Sequence, residues 1–157
     1  NVSLFTSHKI YSETELHARY EIMLENYCKV LRIEALTMLD MVSTDILPAV
    51  SDYTAKLMKT GADKQSLLGE SFGGYEMKTA ARLAELTDAA SMDAAKLDEA
   101  LLQAGEEADA ELAAKFYQAV VFKDMTELRL AVDEMETLTS RACWPYPSYG
   151  ELMFSVR

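Results

Sequence analysis

The chain has 157 residues, half of them apolar, with 15 basic and 26 acidic side chains and a formal net charge of −11 at pH 7. A domain of this size buries roughly 70% of the surface its unfolded form exposes, so it can hold a core without metal or disulfide support. The charge argues against nucleic acid and anionic lipid as partners, because no Lys/Arg cluster offsets a repulsion that reaches about a Debye length.

The excess is uneven: residues 1–70 carry 7 basic and 10 acidic groups, and residues 71–157 carry 8 and 16. Six glycines and three prolines in a sequence rich in Ala, Leu, Glu, Lys and Met predict an all-α fold. Cys28 and Cys143 form neither a CxxC pair nor a disulfide framework, and read as small reduced core side chains. No apolar run approaches the roughly 20 residues of a membrane span and no signal peptide is visible, so the expected location is cytoplasmic. Asn1-Val2-Ser3 matches a glycosylation sequon by its three residues alone. The chain starts without Met, which suggests a piece of a longer protein.

Residues 1–11 lack a helical period and are expected to be an extended lead-in. Ser12-Glu13-Thr14-Glu15 is a capping box, in which Ser12 accepts from a first-turn amide and Glu15 reaches back. Leu16, Tyr20, Met23, Leu24, Tyr27, Leu31, Ala35, Met38, Val42, Ile46, Tyr53 and Leu57 follow in steps of mostly three and four, predicting one buried stripe. A single helix over 13–60 would be about 72 Å long. A break near Lys29–Arg32 and a kink at Pro48 are therefore expected, with Gly61 as the stop. Residues 61–74 read as a loop. A helix over about 75–104 carries Leu83, Leu86, Ala90, Leu97, Leu101 and Ala104 on its stripe. Gly105 separates it from a helix over 106–142, with Leu112, Phe116, Tyr117, Val121, Met125, Leu128, Val132, Met135 and Leu138 inward. Glu106, Glu107 and Asp109 would lie in its first turn, at the positive end of the helix dipole. The expected architecture is an elongated antiparallel bundle of three to four long helices, about 12–30, 33–60, 75–104 and 106–142, followed by a tail over 143–157.

The residues offer little chemistry. A di-iron bundle needs Glu-x-x-His on two helices, but only His8 and His17 are present, preceded at that spacing by Phe5 and Thr14. His17 and Glu21 share a helix face, and a surface ion pair explains them better than a metal. Gly73-Gly74 is not followed by Gly-Lys-Ser/Thr and so is no phosphate loop. Cys28 has no histidine near it in sequence, and no G-x-S-x-G occurs. Glu34, Asp40 and Asp45 read as a solvated face. Met23, Met38, Met125 and Met135 fit buried stripes.

The end is different in kind. WPYPSYGELMFSVR holds Trp144, Pro145, Tyr146, Pro147, Tyr149, Leu152, Met153 and Phe154. The prolines stop the last helix and favour extended backbone. The aromatics form an apolar patch that must be covered, either by the chain's own bundle or by another domain or subunit. Trp144, Pro145, Tyr146, Pro147, Tyr149, Leu152 and Phe154 are thus packing or docking candidates, and no residue is assigned as catalytic, cofactor-binding or metal-binding. Loss of a fully buried Trp144 would cost about 3–5 kcal/mol.

RYEIMLENY, IEALTMLDM and ILPAV, within Glu15–Val50, resemble the C-terminal helical region of type III glutamine synthetases, as do DMTELRLAVDEMETL over Asp124–Leu138 and WPYPSYGELMF over Trp144–Phe154. SLFTSHKIYSETEL is compatible; residues 61–110 are less diagnostic. The blocks occur in the expected order over nearly the whole chain. The resemblance implies a parent that ligates ammonia to glutamate through γ-glutamyl phosphate, using ATP and a divalent metal (Mg or Mn), in a ring-stacked cytoplasmic oligomer. It also implies that the catalytic groups belong to preceding domains, so this region needs no cofactor of its own. Its partners would be the catalytic domain of the same chain and sister subunits. Lys123-Asp124 departs from a helix-breaking proline expected before Met125, which puts a break between 121 and 125 in question. The alternatives are a free-standing helical interaction module and a small metalloenzyme built on His17.

Overall fold

The computed structural model describes residues 2–147 and 149–154, and every regular element among them is helical. After a short α1 (Val2–Ser7), one rod runs without interruption through α2 (Glu13–Asp40), a π-helical turn π1 (Met41–Ile46) and α3 (Leu47–Leu68). A second rod, α4, spans Gly74–Glu106. The third comprises α5 (Ala110–Phe116), a second π turn π2 (Tyr117–Val121) and α6 (Phe122–Leu138); α7 (Tyr149–Phe154) closes the described chain. The expected all-α class holds.

The start of α2 follows from its cap. Ser12 Oγ accepts from the Glu15 amide at 3.2 Å, and the Ser12 amide donates to Glu15 Oε2 at 2.8 Å. The Ser12 amide, and the Ser12 hydroxyl that also donates to Glu15 Oε2 at 2.8 Å, favour the ionised carboxyl and hold Glu15 below the usual carboxylate range. The lead-in is not extended over Val2–Ser7. Thr6 and Ser7 hydroxyls donate to carbonyls one turn back, and Phe5 meets Tyr11, which lies under Arg19 at 4.6 Å.

The expected break at Lys29–Arg32 does not occur. Nothing there interrupts the ladder, Glu25 and Lys29 pair one turn apart at 3.1 Å, and Leu31 is buried. Pro48 also lies within the rod. Just before it, the Leu47 amide reaches back five residues to the Val42 carbonyl, widening the turn where the proline ring would otherwise clash.

Gly61 is not a stop either. It is buried inside α3, where an added Cβ would lie 3.0 Å from Met77 Sδ. The rod ends instead at Gly69, with φ at +106°, and the loop contracts to residues 69–73. Gly73, at φ +81°, presses against Gly61: a Cβ there would fall 2.6 Å from the Gly61 carbonyl oxygen. The two glycines let α3 and α4 meet backbone to backbone at this corner.

Gly105 lies in the last turn of α4, and the true connection is residues 107–109. Asp109 caps α5, its Oδ1 accepting from the amides of Glu111 and Leu112 at 2.9 Å each. Glu106 and Glu107 are therefore outside the last rod, which ends at Leu138, short of residue 142; Thr139 is extended. The chain stays helical from 121 to 125, with π2 ending at Val121 and α6 beginning at Phe122.

The core runs along α4. Leu83, Leu86, Ala90, Leu97, Leu101 and Ala104 meet Val50 and Leu57 of α3, Leu31, Ala35, Val42 and Ile46 of the first rod, and Tyr117, Val121, Leu128 and Met135 of the third. Its rim is tied by charge. Arg82 on α4 donates to both carboxylate oxygens of Glu134 on α6, at 2.6 and 2.7 Å, and to Glu85 at 3.0 Å. Lys64 near the end of α3 pairs with Glu76 at the start of α4, and that bond holds the Glu76 carboxyl below its ordinary range.

The stripe fails at the two ends that face each other. Tyr20, Met23 and Tyr27 in α2 are exposed, as is Leu112 in α5. Around Tyr20 and Leu24, α2 faces the turn before α5 and the start of α5, which leave the large side chains of its stripe in water. Met135 is fully buried, Met38 and Met125 are half-buried, and Met23, at 71% exposure, is no core residue.

Candidate functional site

Two surfaces stand out: the segment after α6, and the outer faces of the first rod. The first is placed by a tight turn in which the Cys143 and Trp144 amides donate to the Ser140 carbonyl at 2.8 and 3.0 Å. This sends Trp144 and Tyr146 back onto the bundle, where both are half-buried against the core. Tyr146 Oη donates to Asp45 Oδ2 at 2.6 Å, joining the tail to π1 across 101 residues of sequence. That bond, with partial burial and the nearby carboxylate charge, pushes the phenol up to about 12. Asp45 is thus more than one carboxylate on a solvated face. Pro145 and Pro147 are exposed. Tyr149–Phe154 are not extended but form α7, from which Leu152, Met153 and Phe154 project at 62%, 69% and 82% exposure. The side chain of Tyr149 lies outside the described residues.

The second surface is the part of α2 that sequence reasoning treated as one-sided. Ile22, Val30, Ile33 and Leu36 are exposed together with Tyr20, Met23 and Tyr27, so α2 is apolar well beyond its core-facing stripe. Where α2 passes into π1, Ile33, Met38, Met41, Val42 and Ile46 face Leu128 and Val132 across a groove of about 400 Å³. Glu34 and Arg129 line the same groove. A period-based reading could not separate the second apolar face from the first, but the β-branched residues off the stripe, Ile22, Val30 and Ile33, were its signal.

The candidate reactive groups do not converge. His17 lies 3.9 Å from Glu13, one turn before it, rather than pairing with Glu21. Among the described residues no group of three or more His, Cys, Asp and Glu side chains could hold a metal ion. Cys28 is half-buried and free, its thiol pushed up by burial; Cys143 is free, with Lys56 Nζ 4.0 Å from its sulfur. No helix among the described residues is long and apolar enough to cross a membrane.

Residues 1–65 match the model of the glutamine synthetase C-terminal domain. Over 157 residues, all of this chain, it is 36% identical to a glutamine synthetase of Butyrivibrio fibrisolvens. It is 27% identical to a type-3 glutamine synthetase of Dictyostelium discoideum over 98% of this chain, and 26% identical to a glutamine synthetase of Bacteroides fragilis over 94%. The chain spans 22%, 22% and 21% of the length of these relatives, respectively. It therefore belongs with the C-terminal domains of glutamine synthetases.

Proposed function

We propose that this chain is the accessory helical domain of a type III glutamine synthetase, non-catalytic by itself, which serves the packing and assembly of its parent. The parent would make glutamine from glutamate, ammonia and ATP with a divalent metal, in the cytoplasm, as a homo-oligomer. The type III assignment is supported by the type-3 relative, which aligns with nearly the whole chain. In this reading the parent's ATP and metal chemistry belongs to domains outside this chain.

The observation that supports a packing role is the apolar surface of α2. A helix that is apolar on several faces is ordinarily buried on several faces. Tyr20, Ile22, Met23, Tyr27, Val30, Ile33 and Leu36 are large side chains left in water by this fold alone. Covering them would supply about 25 cal/mol for each Å² removed from water. The projecting Leu152, Met153 and Phe154 give a second face to cover. The catalytic domain of the same chain and sister subunits are the partners this reading requires. A free-standing interaction module would use the same faces; finding that the encoding reading frame extends several hundred residues upstream would decide against it.

Light scattering of the parent enzyme with and without this region, alongside glutamine synthesis, tests the proposal. Collapse of the oligomer with loss of activity is the expected result. An intact, active oligomer would reduce the region to a peripheral module, and glutamine synthesis by the 157-residue chain alone would overturn the non-catalytic reading.

A further inference from the structure

The turn after α6 sets Cys143 against α3. Its own amide and that of Trp144 donate to the Ser140 carbonyl, and the Tyr146–Asp45 bond anchors the residues that follow. The sulfur then meets two side chains of α3. Lys56 Nζ lies 4.0 Å from Cys143 Sγ, across 87 residues of sequence. Tyr53, one turn before Lys56, has its phenol pushed up by burial and by the neighbouring Tyr75 and Cys143. Among the described residues Lys56 is the only lysine that hydrogen-bonds a cysteine sulfur, and Cys28, the other free thiol, has no such partner. Lys56 is exposed and Cys143 is half-buried. The amine can therefore swing between water and the sulfur, and the sulfur keeps a face open to a small reagent.

We propose that Cys143 and Lys56 form an acyl-relay site, in which the thiol takes a short acyl group from an acyl-CoA thioester and passes it to the lysine. A thiol is the better first acceptor, because a few per cent of it is nucleophilic thiolate near pH 7, whereas an ordinary lysine amine is almost wholly protonated there. The Cys143 thiolate attacks the acyl carbonyl; a new S–C bond forms, the CoA S–C bond breaks, and CoA leaves as its thiolate. The neutral Lys56 amine then attacks the same carbonyl. The N–C bond forms, the Cys143 S–C bond breaks, and the amine proton passes to the departing sulfur, which returns as a thiol. Nothing is oxidised or reduced. The Nζ–Sγ separation is what makes the second step intramolecular, since an acyl carbon held on Sγ falls near the attack distance of about 3–3.5 Å. The amide is the stable product, and it removes one positive charge from an already acidic chain. The inference is independent of the role proposed above, since it concerns only the described chain.

Lys59 and Lys78 supply internal controls. Both are exposed, and like Lys56 neither lies in an ion pair among the described residues, so an advantage of Lys56 over them would come from the sulfur. The purified, reduced chain would be incubated with acetyl-CoA in about 0.15 M salt, where repulsion between CoA and the acidic surface is screened beyond about 8 Å. Peptide mass spectrometry would then follow acetylation at each lysine with time. The expected result is an initial rate at Lys56 at least about tenfold above those at Lys59 and Lys78. Cys143→Ser should bring Lys56 down to their level, with a melting temperature close to that of the unaltered chain. Lys56→Arg should trap the intermediate, leaving an acetyl group on Cys143 that hydroxylamine removes. Equal rates at the three lysines of the unaltered chain would overturn the proposal, and so would an advantage of Lys56 that survives Cys143→Ser. If Cys143→Ser fails to fold, Lys56→Arg decides: no more thioester on Cys143 than in the unaltered chain would equally overturn it.

Discussion

Residues 80–104 of α4 and residues 16–36 of α2 are both helical and rich in apolar side chains, yet they meet water in opposite ways. Over this stretch of α4 the buried positions are four Leu and four Ala: Ala80, Leu83, Leu86, Ala90, Leu97, Ala100, Leu101, Ala104. The alanines let neighbouring rods approach, and the leucines fill what remains. In α2 the apolar residues are larger, spread around the helix and largely exposed, and only Leu31 and Ala35 are fully buried. The lesson is that hydrophobic content alone does not locate a core. A confined stripe with small residues marks packing within the chain, whereas bulk spread around a helix marks packing that the chain does not itself provide.

The comparison breaks most sharply by truncation. Leu83→Ala and Leu128→Ala remove fully buried side chains and should each cost about 3–4 kcal/mol in chemical denaturation. Met23→Ala and Ile33→Ala should change stability by less than about 0.5 kcal/mol. If the α2 pair cost as much as the α4–α6 pair, the exposed face would be part of this chain's own core.

At the corner between α3 and α4, Gly73→Ala should cost about 2–3 kcal/mol. It must adopt a positive φ and push its Cβ into the Gly61 carbonyl. Gly69→Ala shares the positive φ but meets nothing within 4 Å, so only the conformational part remains, about 1 kcal/mol. Equal costs would mean that the close approach contributes nothing.

A smaller effect separates the tail from the core. Trp144 is only half-buried, so Trp144→Ala should cost about 2 kcal/mol, below the 3–5 kcal/mol of a fully enclosed ring. Tyr146→Phe should cost about 0.5–1 kcal/mol, because its partner is charged but accessible. The raised Tyr146 phenol means that this contribution is fully present below pH 10 and is lost as pH rises through about 12. At the acid end the sign reverses. Glu15, Glu76 and Glu134 are held below the ordinary value of 4.5, so their contribution is present above that value and lost as pH falls through the depressed ones. The Tyr146→Phe chain should lack Tyr146's own share of the alkaline loss and keep the acid part.

Much of this was legible in sequence. The Ser12 capping box fixed the start of α2, and three- and four-residue steps found Leu83 to Ala104 on α4 and Tyr117, Val121, Leu128 and Met135 on the third rod. What failed were single-residue readings. Gly61 read as a stop because a glycine weakens a helix, but here it answers to the backbone of another rod. Gly105 likewise sits inside a last turn. The hollow lined by Glu136, Arg141 and Trp144 could not be read at all, because these residues come together only through the turn at Ser140–Cys143.

The π turns did leave a trace. Val42, Ile46, Val50 and Thr54 are all buried at successive spacings of four, as are Ala113, Tyr117 and Val121. In a regular α-helix each four-residue step advances about 40° beyond a full turn, so a run of them would carry the stripe off the core. One extra residue accommodated in a wide turn restores the phase.

That wide turn has a consequence for how the chain tolerates changes in length. A π turn is an α-helix that has absorbed an insertion, so it should also release one. Deleting the exposed Ser43 would let Met41–Ile46 relax to ordinary α geometry with both flanks still facing the core. Deleting Glu85 from α4, which has no such slack, would turn everything downstream by about 100° and expose Leu86, Leu97 and Leu101. Thermal melting and far-ultraviolet circular dichroism of the two deletions should show a folded chain for the first and a collapsed one for the second. The two π turns are thus where this rod-like fold can gain or lose a residue without losing its register.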